Sequence, residues 1–408
     1  MTLLEEVGGR SLPSEFPTLA REGLRYLDAA ATAQTPRAVL AAMDDYYEHH
    51  RASVHRGVYP LAVEATDLFE GARDRVAAFV GAPSRTTVFT KNATEAINLV
   101  AYSWGRANVS AGDRVVVTEM EHHSNFVPWH VLARETGATL EVVPVGEDGL
   151  LRLEVLDELL ATGTVKVVAV GHISNVLGTI NPVAEIARKA HAAGAVVVVD
   201  GAQAVPQIPV DVTALDADFY AWTGHKAYGP TGIGVLHGRR ELLDAMPPFL
   251  GGGHMISNVT IDEIRWAEVP GKFEAGTSNI AEAIGLGAAV DFLGEIGMQA
   301  VRAHERDLAA YAMERLEAIP GVAINGPRDP DARGALVSFT LDVAHPHDVA
   351  EILGTRGVCV RAGHHCAQPL MKSLGVGATT RASFAVHNTR ADVDALIDGI
   401  EQVRTVFS

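Results

Sequence analysis

The sequence contains few cysteines and lacks a positive charge balance. Only Cys359 and Cys366 occur among its 408 residues, too few for a disulfide framework, and they form no Cys-x-x-Cys metal motif. Lysine and arginine number 33 against 50 aspartate and glutamate residues, so the formal net charge is −17. A nucleic-acid surface needs clustered basic residues that displace phosphate counterions, and no basic run is present. These features argue against a disulfide-stapled or nucleic-acid-binding protein and fit a reducing compartment.

The sequence also lacks the segments that direct a protein to a membrane. Its first residues, Met1-Thr-Leu-Leu-Glu-Glu, contain neither the basic nor the apolar region of a signal peptide. No apolar run approaches the length of a membrane span. Hydrophobic residues make up 48% and charged residues 20% of the chain, which is typical of a globular protein with a large core. We therefore expect a cytoplasmic protein with no membrane or nucleic-acid partner.

The apolar pattern predicts alternating strands and helices. Apolar runs of strand length predict strands, most of them buried and parallel, over Thr87–Thr90, Arg114–Thr118, Val165–Val170 and Ala195–Asp200. Residues 64–80 carry an apolar stripe of helical spacing, and Pro182 and Gly194 bound a further helix. Strand, helix and strand in this order predict right-handed βαβ units of a mainly parallel sheet.

The pattern changes near residue 289. Long amphipathic helices follow, interleaved with the strand-like run Ala335–Thr340. We therefore predict an α/β protein with two domains. A large domain with a mainly parallel sheet covers residues 16–288, and a smaller α+β domain contains residues 1–15 and 289–408.

Polar residues lie at the end of the strand predicted over Ala195–Asp200 and in a short stretch further along the chain. Asp200 ends an apolar run, Gln203 comes just after it, and Lys226 ends the stretch Thr223-Gly-His225-Lys226. Alone, the lysine would be a solvated loop residue and the aspartate an N-cap, but together they indicate pyridoxal 5'-phosphate (PLP). Lys226 would hold the aldehyde as a Schiff base. Asp200 would keep the pyridine nitrogen protonated, Gln203 would donate to the phenolic oxygen, and Thr223 and His225 would face the phosphate.

A helix is predicted to open at about Asn92, directly after Thr87–Thr90. A helix N-terminus offers unpaired N–H groups and a partial positive charge, which suit a phosphate. The Thr94 hydroxyl would add a donor. A plain N-cap would give the same pattern, so both interpretations stand at this point.

Two further strand ends carry imidazole or amide groups. The pair His122-His123 follows the strand at 114–118, and Asn175 follows the strand at 165–170. His123 could stack on the cofactor ring or move protons, and Asn175 could reach the cofactor or a substrate carboxylate. A metal site is disfavoured, because adjacent side chains on extended backbone point to opposite faces and no third ligand lies at helical spacing.

Several short motifs are spread along nearly the whole chain: Tyr26-Leu-Asp-Ala-Ala, His55-Arg-Gly, Ala93-Thr-Glu, Glu121-His-His-Ser-Asn, Ser174-Asn-Val-Leu-Gly, Asp200-Gly-Ala-Gln, Thr223-Gly-His-Lys, Phe273-Glu-Ala-Gly-Thr and Arg361-Ala-Gly-His-His-Cys. Through them the sequence resembles the PLP-dependent cysteine desulfurases of the SUF type, which are class V members of the aminotransferases. This resemblance implies the PLP-dependent fold type I, which is that of aspartate aminotransferase.

The resemblance implies roles in the reaction. Lys226 would be the Schiff-base lysine, Cys366 the sulfur-accepting nucleophile and His123 the ring-stacking acid or base. Asp200 would pair with the pyridine nitrogen and Gln203 with the phenolic oxygen. Each of these roles agrees with the position of the residue at the end of a predicted segment or on a polar loop.

The resemblance also implies which residues bind the phosphate and the substrate. The phosphate would lie against Thr94, Thr223, His225 and, from the second subunit of a homodimer, Thr277. Thr223 replaces the serine usual in the family and keeps its hydroxyl. Arg381 would clamp the substrate carboxylate, because a guanidinium matches a carboxylate bidentately. Asn175 and Arg361 would also bind the substrate.

The implied reaction converts L-cysteine to L-alanine. The sulfur would pass as a persulfide on Cys366 to an acceptor for iron–sulfur cluster assembly. Arg361, His364 and His365 are expected to favour the thiolate, whereas Cys359 lies in an apolar strand pattern and is expected to be structural. The alternatives are a selenocysteine lyase, another class V aminotransferase-type enzyme, and a non-enzymatic scaffold, which the intact cofactor set disfavours.

The stretch Ala344-His-Pro-His347-Asp allows two interpretations. The simpler one is a helix start, with Pro346 in the first turn and a solvated His347. The resemblance to SUF desulfurases implies instead that His347 contacts a zinc-bearing sulfur acceptor, where a neutral imidazole could replace a cysteine ligand and free it as a thiolate.

Overall fold

The computed structural model describes Leu4 and residues 6–407, without the side chain of Val7. Its strands, in chain order, are β1 (Glu6–Val7), β2 (Arg10–Ser11), β3 (Arg25–Tyr26), β4 (Thr87–Thr90), β5 (Arg114–Thr118), β6 (Thr139–Val143), β7 (Val165–Gly171), β8 (Val196–Asp200), β9 (Phe219–Thr223), β10 (Gly234–Gly238), β11 (Ile256–Val259), β12 (Ile264–Trp266), β13 (Val322–Asn325), β14 (Leu336–Leu341), β15 (Val358–Cys359), β16 (Arg361–Gly363) and β17 (Thr379–Ser383).

The α-helices, in chain order, are α1 (Arg37–Asp45), α2 (Pro60–Phe79), α3 (Ala93–Val100), α4 (Arg106–Asn108), α5 (Val127–Thr136), α6 (Leu153–Leu160), α7 (Val183–Ala192), α8 (Arg240–Ala245), α9 (Ile280–Ile296), α10 (Met298–Glu317), α11 (Pro346–Thr355), α12 (Gln368–Ser373) and α13 (Arg390–Phe407). Two short 3-10 turns, His123–Asn125 and Gly224–Lys226, also contribute to the site. None of the described helices is long and apolar enough to cross a membrane.

A seven-stranded sheet in the order β4-β10-β9-β8-β7-β5-β6 forms the centre of the molecule. The pairings from β9 through β6 are parallel, and β10 runs antiparallel to both of its neighbours. Alternate residues of one strand pack into different cores: Val197 and Val199 of β8 belong to one cluster and Val198 to the other. Strands buried on both faces explain the continuous apolar runs, and the predicted fold class is confirmed.

Most predicted boundaries agree with the structure. The strands at 87–90 and 114–118 have the predicted ends. The helix predicted over 64–80 begins earlier, at Pro60, because a proline in the first turn loses no hydrogen bond. Pro182 is the N-cap residue of α7, and Gly194 follows the helix with φ of 76°.

A second sheet, antiparallel and of four strands in the order β13-β14-β17-β16, lies in the C-terminal part. Its core joins the sheet to α10, α11 and α13 through Leu308, Phe339, Leu353 and Leu396. This sheet carries Arg361 and Arg381 as register partners on β16 and β17. Position 288 lies inside α9, and the division into two domains stays a prediction.

A buried ion pair fixes the loop after β12 to the large sheet. Arg73 and Glu274 are 2% and 8% exposed, and Arg73 Nη2 donates to Glu274 Oε2 at 2.9 Å. The same carboxylate accepts the backbone N–H of Phe89 at 2.7 Å. The guanidinium lies over the rings of Phe69 and Phe89, at 5.1 and 4.6 Å from their centroids. Each charge therefore has partners that compensate for its loss of water.

Replacing Arg73 by methionine should destabilise the protein strongly. The substitution leaves the buried Glu274 carboxylate without its cation, and breaking a buried pair from one side costs about 3–5 kcal/mol. Denaturant unfolding measures the loss relative to the unchanged protein. Arg152→Met is the matched control, because Arg152 pairs with Asp148 at the surface and such pairs contribute little. Equal losses in the two variants would contradict this prediction.

Candidate active site

A cavity of about 250 Å³ opens at the carboxyl ends of β5, β7, β8 and β9. Ten predicted site residues line it: Thr94, Asn175, Asp200, Gln203, Thr223, His225, Lys226, Arg361, Cys366 and Arg381. The carboxyl ends of parallel strands meet at one edge of a sheet, which is where ligands of open α/β sheets bind. The fold thus brings together residues from distant parts of the chain.

Lys226 is placed by β9 and the 3-10 turn that follows it. Its side chain is half-buried at the cavity. Burial lowers the pKa of the amine to about 8, with a contribution from the positive charges of Arg381 and Arg361, although the Asp200 carboxylate acts in the opposite direction. A lysine can hold an aldehyde only through its neutral amine, and the lowered pKa makes that form more accessible near neutral pH than in a free lysine.

Asp200 and Gln203 lie at and after the end of β8. Asp200 is 8% exposed, and its Oδ1 accepts the backbone N–H of Ala202 at 3.0 Å, so it also caps the following turn. Burial raises the pKa of this carboxyl, while Lys226 opposes the rise. Gln203 Nε2 donates to the Ala30 carbonyl at 2.8 Å, which leaves a second amide hydrogen for a ligand.

Four buried polar atoms in the cavity wall form no hydrogen bond within the described part of the chain. They are Thr223 Oγ1, Asn175 Oδ1, His365 Nδ1 and Arg381 Nε. Buried polar groups are normally paired, so these atoms fit a polar ligand that carries phosphate and carboxylate groups. PLP together with an amino acid substrate has this chemistry, and the residues present therefore fit the predicted cofactor.

The N-terminus of α3 supports both interpretations of its sequence. Asn92 is the N-cap, and its Oδ1 accepts the N–H of Glu95 at 2.9 Å. Thr94 is exposed in the first turn and lines the cavity. His225 lies nearby in the wall, and burial with the charge of Lys226 lowers its pKa to about 4. This imidazole is therefore neutral at neutral pH and can act as a hydrogen-bond donor.

Arg381 is held in a fixed orientation by β17 and two acceptors. Its Nη1 donates to the Asn175 carbonyl at 2.8 Å and its Nη2 to Asp28 Oδ1 at 3.1 Å. The guanidinium is 2% exposed, whereas the neighbouring Arg361 is exposed at the cavity edge. A buried, oriented guanidinium suits a carboxylate.

The loop that carries Cys366 has an unusual backbone. His365 and Cys366 have φ of 50° and 57°, a region that residues other than glycine rarely adopt. Asn175 Nδ2 donates to the His365 carbonyl and the N–H of His123 to the Cys366 carbonyl, both at 2.7 Å. These contacts hold the half-buried thiol in the cavity wall.

One expectation about the thiol's surroundings changes. Burial lowers the pKa of His365 to about 3, so this imidazole is neutral and does not supply the expected positive charge. Arg361 remains as the cation beside the thiol in the cavity. Cys359 is half-buried on β15, outside the cavity lining, and burial raises its pKa.

The structure places His122, and not His123, in the cavity wall. His122 has extended backbone angles, φ −60° and ψ 147°, and successive side chains on extended backbone point to opposite sides. His123 Nε2 instead accepts the N–H of Gln368 at 3.2 Å, and His123 is not among the residues that line the cavity. The prediction that His123 faces the cofactor therefore disagrees with the geometry, and His122 is the imidazole that can.

Glu121 is a cavity residue for which the sequence pattern predicts no role. Its buried carboxylate lines the cavity and accepts from Thr118 Oγ1 at 2.6 Å, from the Gly171 N–H at 2.9 Å and from Asn125 Nδ2 at 2.6 Å. Burial raises its pKa to about 7. An acid directly after a buried strand was the available signal. Glu121 joins the ends of β5 and β7 and anchors the turn that presents His122.

Besides His123, two further predicted residues lie away from the cavity. Thr277 lines a shallow depression with Arg56 and His254, and its contact with a partner's phosphate stays a prediction. His347 is exposed in the first turn of α11, next to His345. The helix start predicted from Pro346 is present, and the acceptor contact stays a prediction.

Comparisons with known proteins agree with this architecture. Residues 25–396 match the family model described as aminotransferase class-V. A probable cysteine desulfurase of Streptomyces coelicolor is 52% identical, with 97% of each chain covered, and a cysteine desulfurase of Haloferax volcanii is 51% identical, with 94% of this chain and 90% of the relative covered.

Solved structures give the same result. The apo structure of a cysteine desulfurase from Thermococcus onnurineus has a TM-score of 0.94 at 40% identity, covering 98% of this chain and 99% of that one. The crystal structure of the cysteine desulfurase CsdA (S-sulfonic acid) from Escherichia coli has a TM-score of 0.91 at 41% identity, covering 97% and 98%.

The fold and the cavity define a PLP-dependent α/β enzyme of fold type I. The chain belongs to the aminotransferase class-V family.

Replacement of each of the two adjacent histidines by alanine tests which of them contacts the cofactor. His122→Ala should weaken PLP binding to the apo-protein about 2- to 10-fold, because an aromatic contact contributes about 0.5–1.5 kcal/mol. His123→Ala should leave this affinity unchanged, since the His123 ring lies outside the cavity lining. Titration of PLP into the apo-proteins, followed by absorbance, measures both. A greater loss in the His123 variant would restore the original prediction.

Proposed function

We propose that the protein removes the sulfur of L-cysteine, holds it as a persulfide on Cys366 and releases L-alanine. The protein is a PLP-dependent cysteine desulfurase, since relatives about 50% identical along nearly the whole chain have that name. The observation that carries the proposal is that Lys226, Asp200, Arg381 and Cys366 line one cavity. An aminotransferase has no need of a thiol there.

The residues that would hold PLP follow from the cavity wall. Lys226 would bind the aldehyde carbon, Asp200 would accept the proton of the ring nitrogen and His122 would lie against the ring. The phosphate would be bound by hydroxyl and imidazole donors of Thr94, Thr223 and His225. When bound, PLP supplies an electron sink for negative charge at the substrate Cα.

The substrate would be oriented by its carboxylate. Arg381 is the buried guanidinium of the cavity, and its unpaired Nε is free to donate. Arg361 and the unpaired Asn175 Oδ1 would fix the rest of the amino acid. The pKa of Lys226 is about 8, so its amine can lose its proton near neutral pH. In its neutral form Nζ would take the proton from Cα.

Cys366 would then take the sulfur. Its thiolate Sγ attacks the substrate sulfur, so that an S–S bond forms while the Cβ–S bond breaks. The carbon fragment keeps the electron pair of the broken bond and takes up one proton at Cβ and one at Cα, which replaces the proton that Lys226 removed, and it leaves as alanine. Arg361 lines the same cavity as Cys366.

Replacement of each cysteine tests the proposal. Cys366→Ala should still bind cysteine, because Lys226 and Arg381 are unchanged, but it should form almost no protein persulfide or alanine. Alanine release and enzyme-bound persulfide are measured after incubation with cysteine and a reductant. Cys359→Ala is the matched control, since Cys359 lies outside the cavity lining, and it should retain both products. Normal persulfide in the Cys366 variant would exclude this residue as the nucleophile.

The proposal extends to partners. A homodimer would bring Thr277 of one subunit to the phosphate bound by the other, as the resemblance implies. The sulfur acceptor would be a zinc-bearing protein that serves iron–sulfur cluster assembly. His347 supports this part of the proposal because it is exposed and its ring is stacked on His345, with centroids 5.1 Å apart, so that it presents an imidazole at the surface.

His347→Ala should keep basal cysteine turnover and lose stimulation by a zinc-containing acceptor, because the residue lies outside the cavity lining and neutral imidazole is a zinc ligand. Alanine release is measured at rising acceptor concentration. His130→Ala, which removes an exposed imidazole from α5, is the control. An unchanged stimulation curve would make His347 an ordinary surface residue.

A further inference from the structure

Ser124 lies between two residues of the proposed cofactor site. Its hydroxyl is 2.6 Å from Thr94 Oγ1 and 3.0 Å from His122 Nδ1. Its backbone N–H donates to the same nitrogen at 3.1 Å. All three residues line the cavity, so one small residue connects the start of α3 to the imidazole in the cavity wall.

These contacts determine the tautomer of His122. Nδ1 accepts the Ser124 N–H and therefore carries no proton, so the proton of the neutral ring lies on Nε2. Burial, reinforced by nearby cations of which Lys226 contributes most, lowers the pKa of His122 to about 3. The ring is thus neutral at neutral pH. Nε2 forms no hydrogen bond with any described residue and can donate into the cavity.

The same contacts orient the hydroxyl of Thr94. The single lone pair of His122 Nδ1 already accepts the Ser124 N–H, so the Ser124 hydroxyl hydrogen is better placed on Thr94 Oγ1. Thr94 then accepts from Ser124, and its own hydrogen is free for another acceptor. A hydroxyl that accepts a hydrogen bond becomes a stronger donor. Thr94 is therefore prepared to donate to an anion.

We propose that Ser124 is a positioning residue of the cofactor site, which directs the Thr94 hydroxyl toward the PLP phosphate and fixes His122 with its Nε2–H toward the cavity. This inference rests on the proposed function, because it assigns the phosphate to Thr94. Ser124 thereby links the phosphate end of the site to its ring end, because its hydroxyl donates to Thr94 and its backbone N–H donates to His122.

Binding of PLP and of pyridoxal, which lacks the phosphate, to the apo-protein tests the proposal. Ser124→Ala should weaken PLP binding about 2- to 10-fold, the change expected for one hydrogen bond, and leave pyridoxal binding unchanged. Ser124→Thr keeps the hydroxyl and should restore PLP affinity. Ser103→Ala removes a buried hydroxyl outside the cavity lining and is the matched control. An unchanged PLP affinity, or an equal loss for both ligands, would overturn the proposal.

A double-mutant cycle locates the effect. In a Thr94→Val background, Ser124→Ala should cause no further loss of PLP affinity, because its acceptor is gone. Additive losses would overturn the link between the two hydroxyls. If the unchanged protein binds no PLP, the proposed function fails, whereas a normal PLP affinity with no effect of Ser124→Ala removes only this inference.

The tautomer has a readout that needs no cofactor. The ¹⁵N spectrum of histidine-labelled apo-protein should show His122 with an unprotonated Nδ1 and a protonated Nε2, the signal being assigned by its loss in His122→Gln. A protonated Nδ1 would overturn the assigned role of Ser124 toward the imidazole.

Discussion

Burial of the Lys226 amine at the carboxyl edge of the large sheet is the constraint on which the site depends. Removal from water favours the neutral amine, and the charges of Arg381 and Arg361 act in the same direction, while Asp200 opposes them. Below pH about 8 the buried amine is protonated, and its charge lowers the free energy of unfolding of the protein. The cost disappears as the pH rises toward the ordinary pKa of lysine, because the unfolded state then binds more protons than the folded state.

The thiol depends on a second constraint, the contact between the two sheets. Cys366 and His365 leave the four-stranded sheet with positive φ, which costs energy for side chains with a β-carbon. The donors that hold them, Asn175 and His123, follow strands of the large sheet. The strain and its compensation therefore come from different parts of the chain, so the position of the thiol depends on how the sheets pack together.

Much of the fold could be predicted because strands buried on both faces give continuous apolar runs. Asp200 and Asn175 could be predicted to lie at the cavity for the same reason, since each lies at or after the visible end of a strand, whereas Lys226 was indicated by its short motif. The antiparallel insertion of β10 left no such signal. The sequence does not show at which residue the strand ends and the turn begins. Because a shift of one residue on extended backbone reverses the direction of the side chain, it could not be predicted which of His122 and His123 lines the cavity.

The contribution of Glu121 and Ser124 could not be predicted, because it arises from partners distant in the chain. Ser124 matters through Thr94, and Glu121 through the N–H of Gly171. In the local sequence each of these residues is one polar residue among others. Only the folded arrangement brings β7 beside β5 and α3 beside the turn after β5. A polar residue next to a strand end is therefore a candidate site residue, and its role depends on the groups that the neighbouring elements bring into contact with it.

The histidines of the cavity wall show how the site separates two anionic groups. Burial lowers the pKa values of His122, His225 and His365 to about 4 or below, so these rings are neutral hydrogen-bonding groups. The fixed positive charges of the wall are the guanidinium groups of Arg381 and Arg361. A carboxylate gains more from a guanidinium than from neutral donors, whereas a phosphate can be bound by the hydroxyls and imidazoles around α3 and β9. In the proposed function, the cations on the second sheet would therefore give the substrate carboxylate one preferred end of the cavity and leave the other end to the cofactor.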